Sequence, residues 1–308
     1  MNDTLLKCRS FAKINLGLRI LGKRSDGYHE IDTLFQTVSL HDDLIFTQRD
    51  DQMILLRCDD RSIPTDRTNL IMKAAWALKD QVSTSSGVDI HLTKRIPAQG
   101  GLGGASSNAA TAILALNQLW NLALEPAELE KIGRRIGADV PFFFTGGLAR
   151  GRGTGKDISV LPDGKQIQLI IITPKAKVST EIAYRALKAP SLTTEGSVSI
   201  LSSSFGEPPF GEIGQWGLQN DFEGVIFEIE PEIERAKLAL LDAGAQGGLL
   251  AGSGSSVFGI FENENARERA LKNLKCETGW QVFPSETISR KEYSERLGLS
   301  GFPLLRSL

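Results

Sequence analysis

The chain is poor in the residues that build disulfide frameworks and metal cages. Its 308 residues hold three cysteines, Cys8, Cys58 and Cys276, scattered singly. That count gives no disulfide framework and no pair at metal-ligand spacing, so a reducing, cytoplasmic setting is expected. The three histidines, His29, His41 and His91, form no metal cluster with one another. An excess of one charge is missing too. A net charge of −2 leaves no electrostatic footprint for nucleic acid or a membrane surface. No run of about 18 apolar residues exists to span a bilayer. The first residues, MNDTLLKCRSF, lack the apolar segment and cleavage site of a secretory leader. Internal repeats are absent as well. What remains is an ordinary soluble composition, 41% hydrophobic and 23% charged. Its length suits two domains that together bury roughly three-quarters of the unfolded surface.

Glycine, by contrast, is concentrated. The stretch Pro97–Ala110, PAQGGLGGASSNAA, holds four glycines in five positions directly before two serines and a helical run. Without Cβ atoms, consecutive backbone N–H groups can turn inward and approach an anion. The following helix adds unpaired N–H donors and the positive end of its dipole, so the stretch reads as a phosphate cradle. Ala109, Ala112, Ile113, Leu116, Leu119 and Trp120 recur at helical spacing, and Ser106, Ser107 and Asn108 are the expected capping oxygens. Two better-known phosphate loops do not fit. Ala105 and Ser106 follow Gly104 where a P-loop needs Lys and Ser/Thr, and Ser106 stands where a dinucleotide loop needs its third glycine.

Along the rest of the chain, residues 9–20 alternate as a strand. Ala12, Ile14, Leu16 and Leu18 share one face, and Lys13, Asn15, Gly17 and Arg19 share the other. On pattern alone the second face reads as solvated. GKRSDG makes a turn that delivers Tyr28 and His29 to the next strand, and Ile31–Leu40 and Asp43–Thr47 continue the β-rich half. Asn69 caps a helix, Val88–Leu92 is a strand, and Glu125-Pro126 opens a further helix. That helix exits through GADVPFFFTGG. Pro141 forbids its continuation, so Asp139 sits at a sharp corner as a turn-former or a working group. Phe142–Phe144 read as a buried strand. Composition shifts near Asp157–Gly164, and Gln168–Thr173 opens a second unit. Residues 190–216 form a Ser-, Pro- and Gly-rich surface connection, and Pro231–Ala243 is a helix. In GGLLAGSGSSVFGIF a second loop, Gly252–Ser256, is either a tight hairpin or part of a site wall. A helix near Asn265–Leu274 and a strand at Trp280–Phe283 complete a ferredoxin-like order. The tail after about Pro284 has no assigned place.

Three stretches, AKINLGL, PAQGGLGGASSNAA and LLAGSGSSVFGIF, resemble in order and spacing the three motifs of the GHMP kinase superfamily. KINLGLRILGKRSDGYHEIDTLFQ and GADVPFF narrow the likeness to the branch whose alcohol substrate carries a cytidine diphosphate. Gln99 departs from the pattern, which usually has glycine there. The resemblance implies a two-domain α+β fold. An N-terminal ribosomal-S5-like, ATP-binding domain would span residues 1–160. A ferredoxin-like C-terminal domain would span 161–308, its tail of unknown role. It implies ATP and Mg²⁺ as cofactors, with a cytidylyl small molecule phosphorylated on its 2-hydroxyl in the non-mevalonate isoprenoid route. No nucleic acid or membrane partner is expected, and the chain would act as a monomer or weak dimer. Asp139 then matches the catalytic base and Lys13 the lysine paired with it. The ATP loop comprises Pro97, Ala98, Gln99, Gly100, Gly101, Leu102, Gly103, Gly104, Ala105, Ser106 and Ser107, with Ser107 a candidate magnesium ligand. Asn15, Tyr28, His29 and Tyr184 match the substrate pocket, the two tyrosines stacking on the cytosine. Phosphoryl transfer asks mainly for positioning and charge stabilisation, which this set can supply. Other readings are a homoserine- or mevalonate-type kinase and a non-catalytic nucleotide-binding regulator.

Overall fold

In a computed structural model the described residues are 4–82, 84–176, 178–187, 218–274 and 278–299. Cys276 and the expected connection at 190–216 lie outside them. The first half is built on one long hairpin. β1 (Leu5–Lys23) runs antiparallel along β2 (His29–Arg49), so the two segments read separately in the sequence are one strand. β1 takes one edge of β2. The other edge is shared, with β4 (Gly87–Thr93) pairing Asp43–Arg49 and β5 (Leu148–Gly153) pairing Ile31–Gln36. β3 (Ile54–Cys58) and β6 (Asp157–Val160) finish the sheet, in the order β3-β4-β2-β5-β6.

Helices α1 (Leu70–Val82), α2 (Gly104–Leu119) and α3 (Pro126–Ile136) cover one face of this sheet. Their starts follow from local chemistry. Asn69 Oδ1 accepts from the Ile71 N–H, and α3 opens with Pro126 inside a Glu125/Glu128 capping box. α2 departs from expectation. Gly103, left-handed at φ +70, occupies its N-cap, and no side chain caps it. Ser107 and Asn108 instead turn inward to Ser10 and Asp42. Phe142–Phe144 are likewise not a strand. Pro141–Phe144 form a 3₁₀ turn whose side chains are all buried, because an apolar run carries no period to separate the two.

The second half is a four-stranded antiparallel sheet, β7 (Gln168–Thr173), β8 (Gly247–Leu250), β9 (Val257–Phe261) and β10 (Gln281–Glu286). Its order, β10-β7-β9-β8, is the ferredoxin-like one. After the short α4 (Thr180–Ala186) and α5 (Glu223–Ile229), α6 (Pro231–Asp242) and α7 (Glu264–Leu274) pack on one face. The other face meets the first half. Leu169, Ile171, Phe258 and Ile260 form a shared core with Ala12, Ile14, Leu16 and Leu34. The central strands are therefore covered on both sides, and the supposedly solvated face of β1 is buried. Lys13 is 4% exposed and Asn15 1%.

The tail has a place in this fold. Beyond β10 the chain crosses back onto the first half, where α8 (Arg290–Arg296) buries Tyr293 among Phe11 and the Pro141–Phe144 turn.

Candidate active site

A bulge in β1 starts the site. Pairing with β2 is interrupted between Phe11 and Lys13, and the Lys13 N–H donates to the Leu102 carbonyl of the glycine stretch at 2.9 Å. The lysine side chain thus enters directly beneath the glycine stretch. Its Nζ donates to Asn15 Oδ1 at 2.7 Å and stands 3.6 Å from Asp139 Oδ2. The Asn15 amide donates to Thr33 Oγ1, which donates to the Gly17 carbonyl, so Lys13 ends a fully hydrogen-bonded row. A buried ammonium is costly unless its partners are in place, and here an amide oxygen and a carboxylate provide them. Asp139 itself is open to the cleft, its side chain 31% exposed.

The loop folds around this lysine. Gly101 and Gly103 have positive φ of 78° and 70°, and Gln99 takes φ 60°. A left-handed site explains why glycine would suit position 99 better, and this chain tolerates glutamine there at some strain. A Cβ on Gly103 would lie 2.9 Å from both Lys13 Cγ and Phe143 Cζ, so the loop touches the lysine and the turn after Asp139 at once. The loop between β8 and β9 closes the other side. A Cβ on Gly254 would stand 2.1 Å from the Gly101 nitrogen, and one on Gly252 3.2 Å from Lys13 Nζ. The Ser256 N–H donates to the Gly100 carbonyl. This loop is a hairpin and the wall of the site together.

Asp42 was not singled out in the sequence, where it falls between the segments Ile31–Leu40 and Asp43–Thr47; it is one of four acidic residues in β2. It is fully buried and accepts from the backbone N–H groups of Arg95 and Ile96, both at 2.7 Å. Lys94 Nζ at 2.8 Å and the Asn108 amide at 3.0 Å complete its partners. One carboxylate therefore pins both the entry to the glycine loop and the helix that leaves it.

At the far end, His29 and Tyr184 stack with centroids 4.6 Å apart, and Tyr28 is 65% exposed. Burial and then the charge of Asp139 push the Tyr184 phenol up to about 12. Desolvation, helped by Lys23, lowers the His29 pKa below its ordinary value. Asn15 is no open pocket wall; it faces Lys13. Ser107 is shut away at 0% exposure, its Oγ accepting from Ser10 at 2.7 Å. Among the described residues no group of three or more His, Cys, Asp or Glu side chains could hold a metal. On the outer side of the loop lies a cleft of about 320 Å³, bordered by Asp60, Ser62, Lys94, Ile96, Gln99 and Gln281. No helix among the described residues is long and apolar enough to cross a membrane.

A glycine cradle closed over a lysine–carboxylate pair, carried on these two sheets, defines an ATP-dependent small-molecule kinase. Residues 69–147 match the GHMP kinases N terminal domain and residues 205–279 the GHMP kinases C terminal domain. The 4-diphosphocytidyl-2-C-methyl-D-erythritol kinase of Syntrophus aciditrophicus (strain SB) is 41% identical over 284 residues, covering 92% of this chain and 100% of that protein. A crystal structure of 4-(cytidine 5'-diphospho)-2C-methyl-D-erythritol kinase superposes with TM-score 0.74 at 31% identity, covering 92% of this chain and all of that one. A homoserine kinase from Cytophaga hutchinsonii, 20% identical with TM-score 0.67 over 92% of this chain and 95% of its own, shares the fold. The chain belongs to the GHMP kinase family.

Proposed function

We propose that the chain transfers the γ-phosphoryl group of ATP to the 2-hydroxyl of 4-(cytidine 5'-diphospho)-2-C-methyl-D-erythritol. The observation that carries the reading is the 3.6 Å approach of Lys13 Nζ to Asp139 Oδ2 beneath the glycine loop. In this reading Asp139 orients the substrate hydroxyl and takes its proton, and Lys13 stabilises the developing alkoxide. The loop N–H groups from Gly100 to Ser106 hold the triphosphate at the start of α2, and the purine occupies the outer cleft beside Lys94 and Gln281. Magnesium arrives on the phosphates of ATP as part of that substrate, neutralising their charge. Ser107 fits poorly as a resident ligand, because its hydroxyl would first have to leave Ser10 and become exposed.

The cytidine end rests on Tyr28, His29 and Tyr184. Tyr184 already lies against His29, so the base stacks on the exposed ring of Tyr28 and reaches Tyr184 by parting it from the histidine. A homoserine or mevalonate substrate would leave this aromatic end unused. The test is a coupled assay of ATP turnover with the cytidylyl substrate, homoserine and mevalonate side by side. Turnover confined to the cytidylyl substrate is the expected result; preference for either of the others would overturn the reading.

A further inference from the structure

The end of the chain supplies a contact that no part of the proposed chemistry calls for. The edge of β2 is paired by β5 up to Gln36 and by β4 from Asp43, and among the described residues no strand pairs the stretch between them on that edge. Thr287 and Ile288 occupy that gap, and the segment runs on to residue 297. Thr287 bridges Val38, the Ile288 N–H donates to the Thr37 carbonyl, and the Ile288 carbonyl accepts from both Gln36 Nε2 and Thr37 Oγ1. Further on, Arg290 Nη2 donates to the Leu148 and Leu161 carbonyls, and the Leu297 carbonyl accepts from the Arg9 N–H of β1. Between these ties stands Tyr293. Its ring fills the space that a Cβ on Gly146 would need, 2.3 Å away, and its hydroxyl donates to the Phe143 carbonyl at 2.6 Å.

Phe143 links this segment to the site. Its backbone lies one turn beyond Asp139, where the Phe143 N–H donates to the Val140 carbonyl. Its ring tip meets the same point at Gly103 that Lys13 meets. We propose that residues 287–297 are a brace, and that Tyr293 is a positioning residue for phosphoryl transfer acting through Phe143. The brace holds the Asp139 corner, Lys13 and the glycine loop in one register. The family's C-terminal match ends at residue 279, so residues 287–297 lie beyond it. The brace's role rests on the reading of Asp139 as the base, and transfer between positioned groups loses rate steeply when the spacing slips.

The test is Tyr293→Phe in the full chain, which keeps the ring and removes only the hydroxyl. Steady-state kinetics well below the unfolding transition should show kcat lowered by about three- to ten-fold, the worth of one neutral hydrogen bond, with KM for both substrates nearly unchanged. Amide exchange should quicken across residues 139–147 and stay at the parent rate in β7 and β9. Parent kcat in the variant, or an equal loss in every parameter together with general loosening, would overturn the proposal. If the parent turns over no cytidylyl substrate, the functional reading fails instead. The exchange arm then decides alone: faster exchange at 139–147 upholds the brace, and parent-like exchange sinks it.

Discussion

Lys13 and Tyr28 belong to the same hairpin, yet they meet very different surroundings. Lys13 is 4% exposed and held by Asn15 and Asp139 above the Phe35 ring, its own N–H tied to the glycine loop. Tyr28 is 65% exposed, and its backbone is held by the turn, through Asp26 Oδ1 and the Arg24 N–H. The Lys13 end is held in place by contacts within the chain, which is what a group that stabilises a developing charge would need. Where the nucleoside is proposed to bind, the Tyr28 ring is exposed and two others, His29 and Tyr184, rest on each other. Binding there spends part of its energy separating rings, so errors at that end should appear in KM and errors at the transfer end in kcat.

The sharpest way to break the contrast is Asp139→Asn. It removes the proton acceptor while keeping the shape, and kcat should fall by on the order of 10²–10⁴-fold with ATP affinity little changed. Near-parent turnover would remove Asp139 from the base role. Next comes Gly254→Ala, whose new Cβ would stand 2.1 Å from the Gly101 nitrogen and 2.4 Å from the Gly100 carbonyl carbon. Backbone on that side cannot step aside, so the cradle must shift and KM for ATP should rise by roughly 10²-fold. Gly224→Ala, where a Cβ meets nothing within 4 Å, is the control and should leave KM unaltered. Tyr28→Ala then probes the open end. Loss of one stacking face should raise KM for the cytidylyl substrate by roughly 10- to 100-fold, from about 1–3 kcal/mol per stacked base. KM for ATP should stay put; an equal loss for both would mean a misfolded site.

The sequence carried the transfer end further than the rest. Glycine spacing, the α2 stripe and the β-strand order of the second half are local signals, and each appears in the structure. Other features depend on partners far along the chain. The alternation in β1 cannot tell solvent from a second layer, and Lys13 is buried because the glycine stretch at Leu102–Gly103 and the Phe35 ring lie over it. Ser107 and Asn108 have the chemistry of caps, but Ser10 and Asp42 claim them. Tyr293 finds its acceptor at Phe143, and no spacing rule connects two residues so far apart. Asp42 falls between two strand segments in the sequence and carries no signal of its own there. Its four donors come from the loop entry and α2.

The smallest effect belongs to His29, and it sharpens the comparison through pH. Desolvation and the charge of Lys23 lower its pKa, so the folded protein binds this proton less readily than the unfolded chain. Stability from the neutral ring is therefore fully present above the ordinary value of 6.5 and is lost as pH falls below it through the folded pKa. Because the ring is only half-buried, that loss should be modest. The consequence for recognition is larger. A neutral imidazole offers one donor and one acceptor, which suits the mixed edge of cytosine, whereas imidazolium offers donors only. The equilibrium Kd for the cytidylyl substrate, measured calorimetrically without ATP, should be flat from pH 8 to 6.5. It should then weaken by less than about ten-fold toward pH 5.5, the size of one hydrogen bond. Each phosphate of that substrate carries one ester and one anhydride linkage and a single strongly acidic oxygen, so neither changes charge in this range. Affinity for ATP analogues measures the other end and should not follow the same curve. His29→Ala should bind more weakly throughout and lose the acid-side slope. A slope that survives in His29→Ala would assign the titration to another group.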